Sequence, residues 1–422
     1  MENAGQNEKS TIAVVGEGAA CVADVLSDFF WLLLLLLVVC LPRVTIDAYL
    51  PSLPAMADAL RGTDAQIQST LTWYMAGYAI SMLVAGPLSD RYGRRPVLLG
   101  GLALYLLATV ACAFSASIGT IVAARIVQAL GGCSGTVIGR VIVRERFATG
   151  VQAKMLSRIS AGMALSPVLA PLAGSVVGGW YGWRAVFALL AVAGAVALLM
   201  VWRYLPETRE RSGGGAPDPL WKIYAALLGD RRFLRYSLAI GFVYCTYFPF
   251  IAESSILFQR TLHVSGQMYA TIFGITVLGY LIGSSVFRRA GKRWPADRMI
   301  AGAAVVNLCG AGTLWVATCA APDSVAAVVL PMFVIMLSVG VAIPACQFAV
   351  LQPFSSVAGT ASGLFFFIQM AITAACGGVL GWLSDGSARP LVILTLGASL
   401  AFAGILFRLR QREVVAAGRW VS

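Results

Sequence analysis

The chain has 422 residues, 59% of them hydrophobic and 12% charged, with a formal net charge of +12. Soluble domains carry about 25% charged residues, so the composition excludes an ordinary soluble domain and indicates an integral membrane protein. Its basic residues cluster between apolar runs and form no continuous stripe, which argues against a nucleic-acid partner and for loops that set membrane orientation.

The first 28 residues are polar, with Glu2, Glu8, Glu17, Asp24 and Asp28 against Lys9. They lack the basic start and the small-residue cleavage site of a secretory leader, so the apolar run over 29–41 reads as the start of a retained helix. About 20 apolar residues cross a bilayer. On that measure spans are predicted near 30–51, 67–88, 97–116, 119–142, 157–179 and 184–205, then 233–258, 267–287, 298–319, 325–350, 358–381 and 389–408. Alternate loops are rich in arginine, for example Arg91, Arg94 and Arg95, then Arg144 and Arg146, then Arg288, Arg289 and Arg293. The positive-inside rule places these loops and both termini in the cytoplasm.

One long polar connection, 206–232, contains Ser212-Gly213-Gly214-Gly215-Ala216-Pro217, a flexible-linker composition. Six spans lie on each side. The expected organisation is all-α: a cytoplasmic segment 1–28, a six-helix bundle 29–205, a central loop 206–232, a second bundle 233–409 and a tail 410–422. Gly174 and Gly178 repeat at one common offset as Gly377 and Gly381, and the loop Gly86…Gly93-Arg94-Arg95 is echoed by Gly283…Gly291-Lys292-Arg293 without the acid. These echoes suggest parallel repeats related by an axis along the membrane normal.

The first span ends in Asp47-Ala48-Tyr49-Leu50-Pro51-Ser52-Leu53-Pro54. A carboxylate at membrane depth costs roughly 2.5–3.5 kcal/mol and by default marks a site for a proton, an ion or a substrate. Arg43, four residues earlier on the same helical face, could equally make Asp47 a structural ion pair. Next comes Gly86-Pro87-Leu88-Ser89-Asp90-Arg91-Tyr92-Gly93-Arg94-Arg95-Pro96, a tight reversal in which Asp90 can pair with an arginine. In the fourth span, Arg125 within Arg125-Ile126-Val127-Gln128 needs a partner, for which Asp47 is the candidate, and Arg140 follows. The fifth span carries Ser166, Pro167, Pro171, Gly174 and Gly178, residues that bend a helix and let neighbours approach closely. Glu253 in the seventh span is a second intramembrane acid. Gln128, Gln347 and Gln369 are possible polar hooks, and Tyr74, Tyr78, Phe248 and Trp73 possible apolar walls of a binding site.

Nine cysteines form no C-x-x-C and lie mostly inside apolar spans, and His263 is the sole histidine. A metal site, a disulfide framework and a histidine-based catalytic centre are therefore not expected. No G-x-x-x-x-G-K-[ST] run occurs, which argues against an ATP-driven pump.

The loop from Gly86 to Pro96 resembles the signature loop of the major facilitator superfamily, where it acts as a conformational latch. The resemblance implies latch roles for Gly86, Asp90, Arg91, Gly93, Arg94 and Arg140. The Arg125 run resembles the span-four motif of the proton-driven drug antiporters of that superfamily, and the span-five run resembles their antiporter motif, with Ser166 where the motif has glycine. The Asp47 run, together with Val357-Ala358-Gly359-Thr360-Ala361-Ser362-Gly363-Leu364 and Gln369, is similar to the Bcr/CflA multidrug exporter branch. What this implies is export of small amphipathic drugs, bicyclomycin- or amphenicol-like, from a bacterial cell by a monomer in the inner membrane. No cofactor is implied beyond a proton gradient. Asp47, Arg125 and Arg43 would couple protons; Asp47, Tyr49, Tyr74, Tyr78, Gln128, Phe248, Glu253, Gln347 and Gln369 would meet substrate. A proton-coupled importer or metabolite transporter on the same fold stays open because of Ser166.

Overall fold

In the computed structural model the described residues are 29–208, 220–291 and 293–418. The segment 1–28, the glycine-rich run of the central connection, Lys292 and the last four residues lie outside them. Among the described residues, twelve helices are long and apolar enough to cross a bilayer: Phe29–Ala59, Asp64–Tyr92, Arg94–Ala113, Ile118–Arg146, Lys154–Tyr181, Trp183–Tyr204, Arg231–Thr261, Gly266–Ala290, Ala296–Ala320, Val325–Phe354, Gly359–Leu383 and Arg389–Leu406. They are numbered spans one to twelve, spans one to six forming the first lobe and seven to twelve the second. No strand occurs among these residues. The molecule is a multi-pass, all-α membrane protein.

Two departures from the expected organisation have simple causes. The central connection, expected as an unstructured loop, holds a helix at Leu220–Gly229. Its Leu227 is buried, and Ile223 and Tyr224 pack against the apolar core, so burial of one face offsets the ordering of a short segment. The tail expected from residue 410 instead continues the last helix, Arg389–Gly418.

Spans one and seven are interrupted at corresponding depths. Span one is helical over 29–47, turns at 48–49, makes a 3-10 turn at Leu50–Ser52 and resumes at Leu53–Ala59. Span seven runs Arg231–Cys245, breaks, continues as Phe248–Ile256 and ends in a π turn, Leu257–Thr261. Pro51, Pro54 and Pro249 supply no backbone N–H to carry the ladder across the break.

Small residues set the helix spacing. A Cβ on Gly283 of span eight would stand 2.0 Å from the Leu337 carbonyl oxygen of span ten, and one on Gly340 would stand 2.2 Å from that of Tyr280. Backbones therefore touch along this seam. Between the lobes, span eleven packs along span two and span eight along span five.

Gly283→Ala should lower thermal stability in detergent by about 1–3 kcal/mol through overpacking. Gly302→Ala, where nothing lies within 4 Å of the added carbon, should be neutral or slightly stabilising. Tryptophan fluorescence on heating measures both, and equal effects would contradict the seam.

Candidate functional site

The site is built around the interruption that follows Asp47. The helix over 29–47 ends with Asp47 fully buried, its Oδ2 accepting from Arg43 Nε at 3.1 Å. The pairing anticipated from their spacing is present. Asp47 Oδ1 has no hydrogen-bond partner among the described residues. Arg43 has a second engagement that the sequence does not show: its Nη1 donates to the hydroxyl of Tyr244 at 2.5 Å. Tyr244 lies on span seven, so a single guanidinium joins the acid of one lobe to a phenol of the other. The rings of Tyr244 and Tyr247 meet beside it at 4.7 Å, tilted by 51°.

Room for the interruption comes from span five. A Cβ on Gly174 would fall 1.7 Å from the Ala48 carbonyl oxygen, and one on Gly178 would fall 2.6 Å from Ser52 Oγ. These glycines of the predicted motif thus seat the turn at 48–52. Pro167 and Pro171 lie inside the same helix, and Ser166 is buried with an unpartnered hydroxyl. The second lobe completes the seat. Ser255 donates to the Leu50 carbonyl, Gln259 donates to the Pro51 carbonyl at 2.9 Å, and Arg260 donates to the Pro54 carbonyl at 3.2 Å. Arg260 also pairs with Asp58 at 2.5 Å and Asp64 at 3.3 Å.

Arg125 corrects an expectation. It is fully buried but forms no ion pair with Asp47. Its guanidinium lies between two aromatic faces, 4.3 Å from the Tyr49 centroid and 4.2 Å from that of Tyr74. Nη1 donates to Gln128 Oε1 at 2.7 Å and reaches the Thr45 carbonyl at 3.5 Å, near the negative end of the interrupted helix. Gln128 in turn donates to Thr109 at 2.7 Å, so it holds Arg125 and is spent within the first lobe. Tyr49 and Tyr74 are likewise fully buried and are occupied by this cation. Two tyrosine faces and a helix C-terminus offset its charge where a carboxylate was expected.

Arg140 of span four faces the interface, its guanidinium 5.4 Å from the Phe366 ring of span eleven. Tyr78 and Tyr280 lie within its electrostatic reach, and Tyr280 lies within that of Arg43 as well. Phe248 is fully buried, next to Gly377 and Thr72, and acts as packing between lobes. Gln369 is buried with Oε1 unpartnered, and Gln347 is half-buried on span ten. Glu253 is buried apart from Asp47, against Ser384, Asp385 and the Leu391 backbone; Ser384 in turn donates to Gln68 of span two at 3.3 Å, and Glu253 Oε2 has no partner among the described residues. Trp73 is 48% exposed on the outer surface.

The loop at 86–96 forms a carboxylate-bound knot. Arg94 pairs with Asp90 and with Glu145 at 2.8 Å, and donates to Ser89 at 2.8 Å. The backbone N–H groups of Arg94 and Arg95 donate to Glu207 at 2.8 and 3.2 Å, so Glu207 caps span three. Gly93 has φ +100°, a conformation that favours glycine, and a Cβ there would lie 2.4 Å from Glu207 Oε2 and displace that carboxylate. Arg91 packs over Tyr92 at 5.3 Å. Glu145 and Glu207 were missed in the sequence. The available signal was that they are acids set among arginines, at 144–146 and 203–211.

The model of the Major Facilitator Superfamily matches residues 32–377. The chain belongs to this superfamily. It is 29% identical over 367 residues to a chloramphenicol resistance protein of Pseudomonas aeruginosa, covering 86% of this chain and 87% of that one. It is 27% identical to multidrug resistance protein D of Escherichia coli strain K12, over 86% of this chain and 92% of that one. To the multidrug transporter MdfA of Yersinia pestis strain Angola it is 31% identical, over 61% of this chain and 65% of that one. Among solved structures, a D-xylose-proton symporter superposes with a TM-score of 0.70 at 15% identity, covering 89% of this chain and 97% of that one. A bacterial homologue of the human lysosomal transporter Spinster, inward-facing and occupied, gives 0.69 at 15% identity, over 90% and 96%. These two likenesses show the fold. As a superfamily member the chain is a transporter and not an enzyme.

Arg125→Lys keeps the charge but loses the planar face between the tyrosines, and should destabilise the protein by about 2–4 kcal/mol. Tyr74→Phe keeps the ring and loses the hydroxyl bond to the Pro42 carbonyl, at 3.2 Å, costing about 1 kcal/mol. Thermal unfolding in detergent separates the two, and an equal loss would refute the stacked arrangement.

Proposed function

We propose that the chain is a proton-coupled exporter of small neutral or zwitterionic drugs, of the Bcr/CflA type, working by alternating access in a bacterial inner membrane. The basic loops support cytoplasmic placement of both termini, and the superfamily assignment supports a monomer as the working unit. The observation that carries the reading is the chain of contacts from Asp47 through Arg43 to Tyr244. It couples the charge on a buried carboxylate to a contact between the lobes. Protonating Asp47 removes the electrostatic hold on Arg43 and leaves that guanidinium free to move with the second lobe. Each elementary charge crossing 100 mV supplies about 2.3 kcal/mol, enough to bias such an exchange.

The interface also supports a substrate class. Arg43 and Arg140 place two cations near the centre, Asp47 answers one of them, and Glu253 stands elsewhere. Tyr78, Tyr244, Tyr247 and Tyr280 supply amphipathic walls. Such a site favours neutral or zwitterionic aromatic molecules over organic cations, in keeping with the chloramphenicol resistance named for one relative. Within this scheme Asp47, Arg43 and Arg125 manage the proton. Tyr78, Gln347 and Gln369 remain the assigned contacts for substrate.

Everted membrane vesicles with an acidified interior test the reading. Wild-type vesicles should accumulate radiolabelled chloramphenicol and discriminate against ethidium. Asp47→Asn should lose accumulation driven by the pH difference while its yield and insertion stay normal. Uphill accumulation by this variant at the wild-type rate would overturn the coupling role. Chloramphenicol leaving vesicles of that polarity would instead identify an importer.

A further inference from the structure

A groove on the described surface lies outside the two-lobe interface, at the end of span eight that leads into its basic loop. It encloses about 860 Å³. One wall is apolar, with Ile282 and Val286 exposed at 47% and 43% on the outward face of the helix. The other carries Arg288, Arg289 and Arg293, closed by the indole of Trp294. Arg298 stands over that indole at 6.0 Å and adds a fourth cation.

The corresponding loop of the first lobe gives this cluster its meaning. There the arginines are answered within the chain: Arg94 by Asp90 and Glu145, and the backbone of Arg94 and Arg95 by Glu207. In the second lobe the repeat lacks its acid. Among the described residues Arg288 donates to Ser284 and Ser285, at 3.2 and 2.8 Å, and no ion pair involves Arg288, Arg289 or Arg293. The nearby Asp297 is turned to the hydroxyl of Tyr236 on span seven. A positive-inside signal needs only charge in the loop. It does not require a groove whose apolar wall continues down the lipid-facing side of a helix.

We propose that this groove binds an anionic phospholipid of the surrounding leaflet, its phosphate held by Arg288, Arg289 and Arg293 and an acyl chain lying along Ile282 and Val286. The phosphate takes the place that carboxylates occupy in the first lobe, and guanidinium forks suit its geometry. Trp294 sits at the headgroup level, as interfacial indoles do. Juxtamembrane cations of this kind contribute about fivefold each to anionic-lipid affinity.

The full chain, reconstituted in vesicles of equal phosphatidylethanolamine and phosphatidylglycerol and then extracted in mild detergent, is assayed for retained lipid by native mass spectrometry. Wild type should retain phosphatidylglycerol in clear preference. Arg288→Gln/Arg289→Gln/Arg293→Gln should reduce that retention by about two orders of magnitude. Ile282→Trp, which fills the apolar wall and changes no charge, should also reduce it and serves if the triple variant fails to insert. Equal retention of the two lipids by wild type, or wild-type retention in the inserted variants, would overturn the proposal. Release of the lipid by millimolar glycerol phosphate would reduce the site to one for bare phosphate and would overturn it too.

Discussion

The structure depends on how the carbonyl groups freed by the interruption in span one are satisfied. In the hydrocarbon layer an unpaired backbone carbonyl has no water to turn to, and a helix cannot be broken there without other donors. Here they come from several directions. Arg125 approaches the Thr45 carbonyl from within the lobe, and Ser255 and Gln259 reach those of Leu50 and Pro51 from across the interface. The break is therefore a joint between lobes, completed only by both. Span five makes it possible by presenting hydrogen atoms, at Gly174 and Gly178, where any side chain would collide. The buried carboxylate of Asp47 sits at the head of this joint, within one residue of the first freed turn.

Internal duplication explains the layout. Thr45 bonds Tyr105 of span three at 2.8 Å, and Thr246, 201 positions later, accepts from Asn307 of span nine at 3.2 Å. The same separation, 201, relates Arg43 to Tyr244, which bond each other at 2.5 Å. Two equivalent positions of a two-fold arrangement can touch only on the axis. The lobes then diverge in chemistry while sharing geometry: around the interruption the first holds the ionisable groups Arg43, Asp47 and Arg125, and the second the hydrogen-bonded net of Thr246, Asn307, Ser338 and Ser399.

Much of this was legible in the sequence. Span number, the six-and-six division and the short-range pair of Arg43 and Asp47 follow from apolar run length, loop charge and helical spacing. The close packing of Gly174 and Gly178 was legible as a pattern, though not its target. The partner of Arg125 was not legible, because a cation can be stabilised by aromatic faces whose identity depends on helix rotation and not on spacing. Tyr244 was missed for the same reason: a lone tyrosine in an apolar span carries no local mark of a partner two hundred residues away. The neighbours of Arg140 at Phe366 and of Glu253 at Ser384 likewise depend on helix rotation, which a run of hydropathy does not encode. The helix at Leu220–Gly229 was hidden by its polar flanks.

The position of the Arg43–Tyr244 bond has a mechanical corollary. Arg43 lies near the middle of Phe29–Ala59 as well as on the pseudo-symmetry axis. When two rigid bodies tilt about a common centre, displacement grows with distance from that centre and vanishes at it. A hydrogen bond at the fulcrum can thus persist through a swing that tears apart the contacts of Gln259 and Arg260 farther out. It would keep the two halves in register while everything around it changes partners.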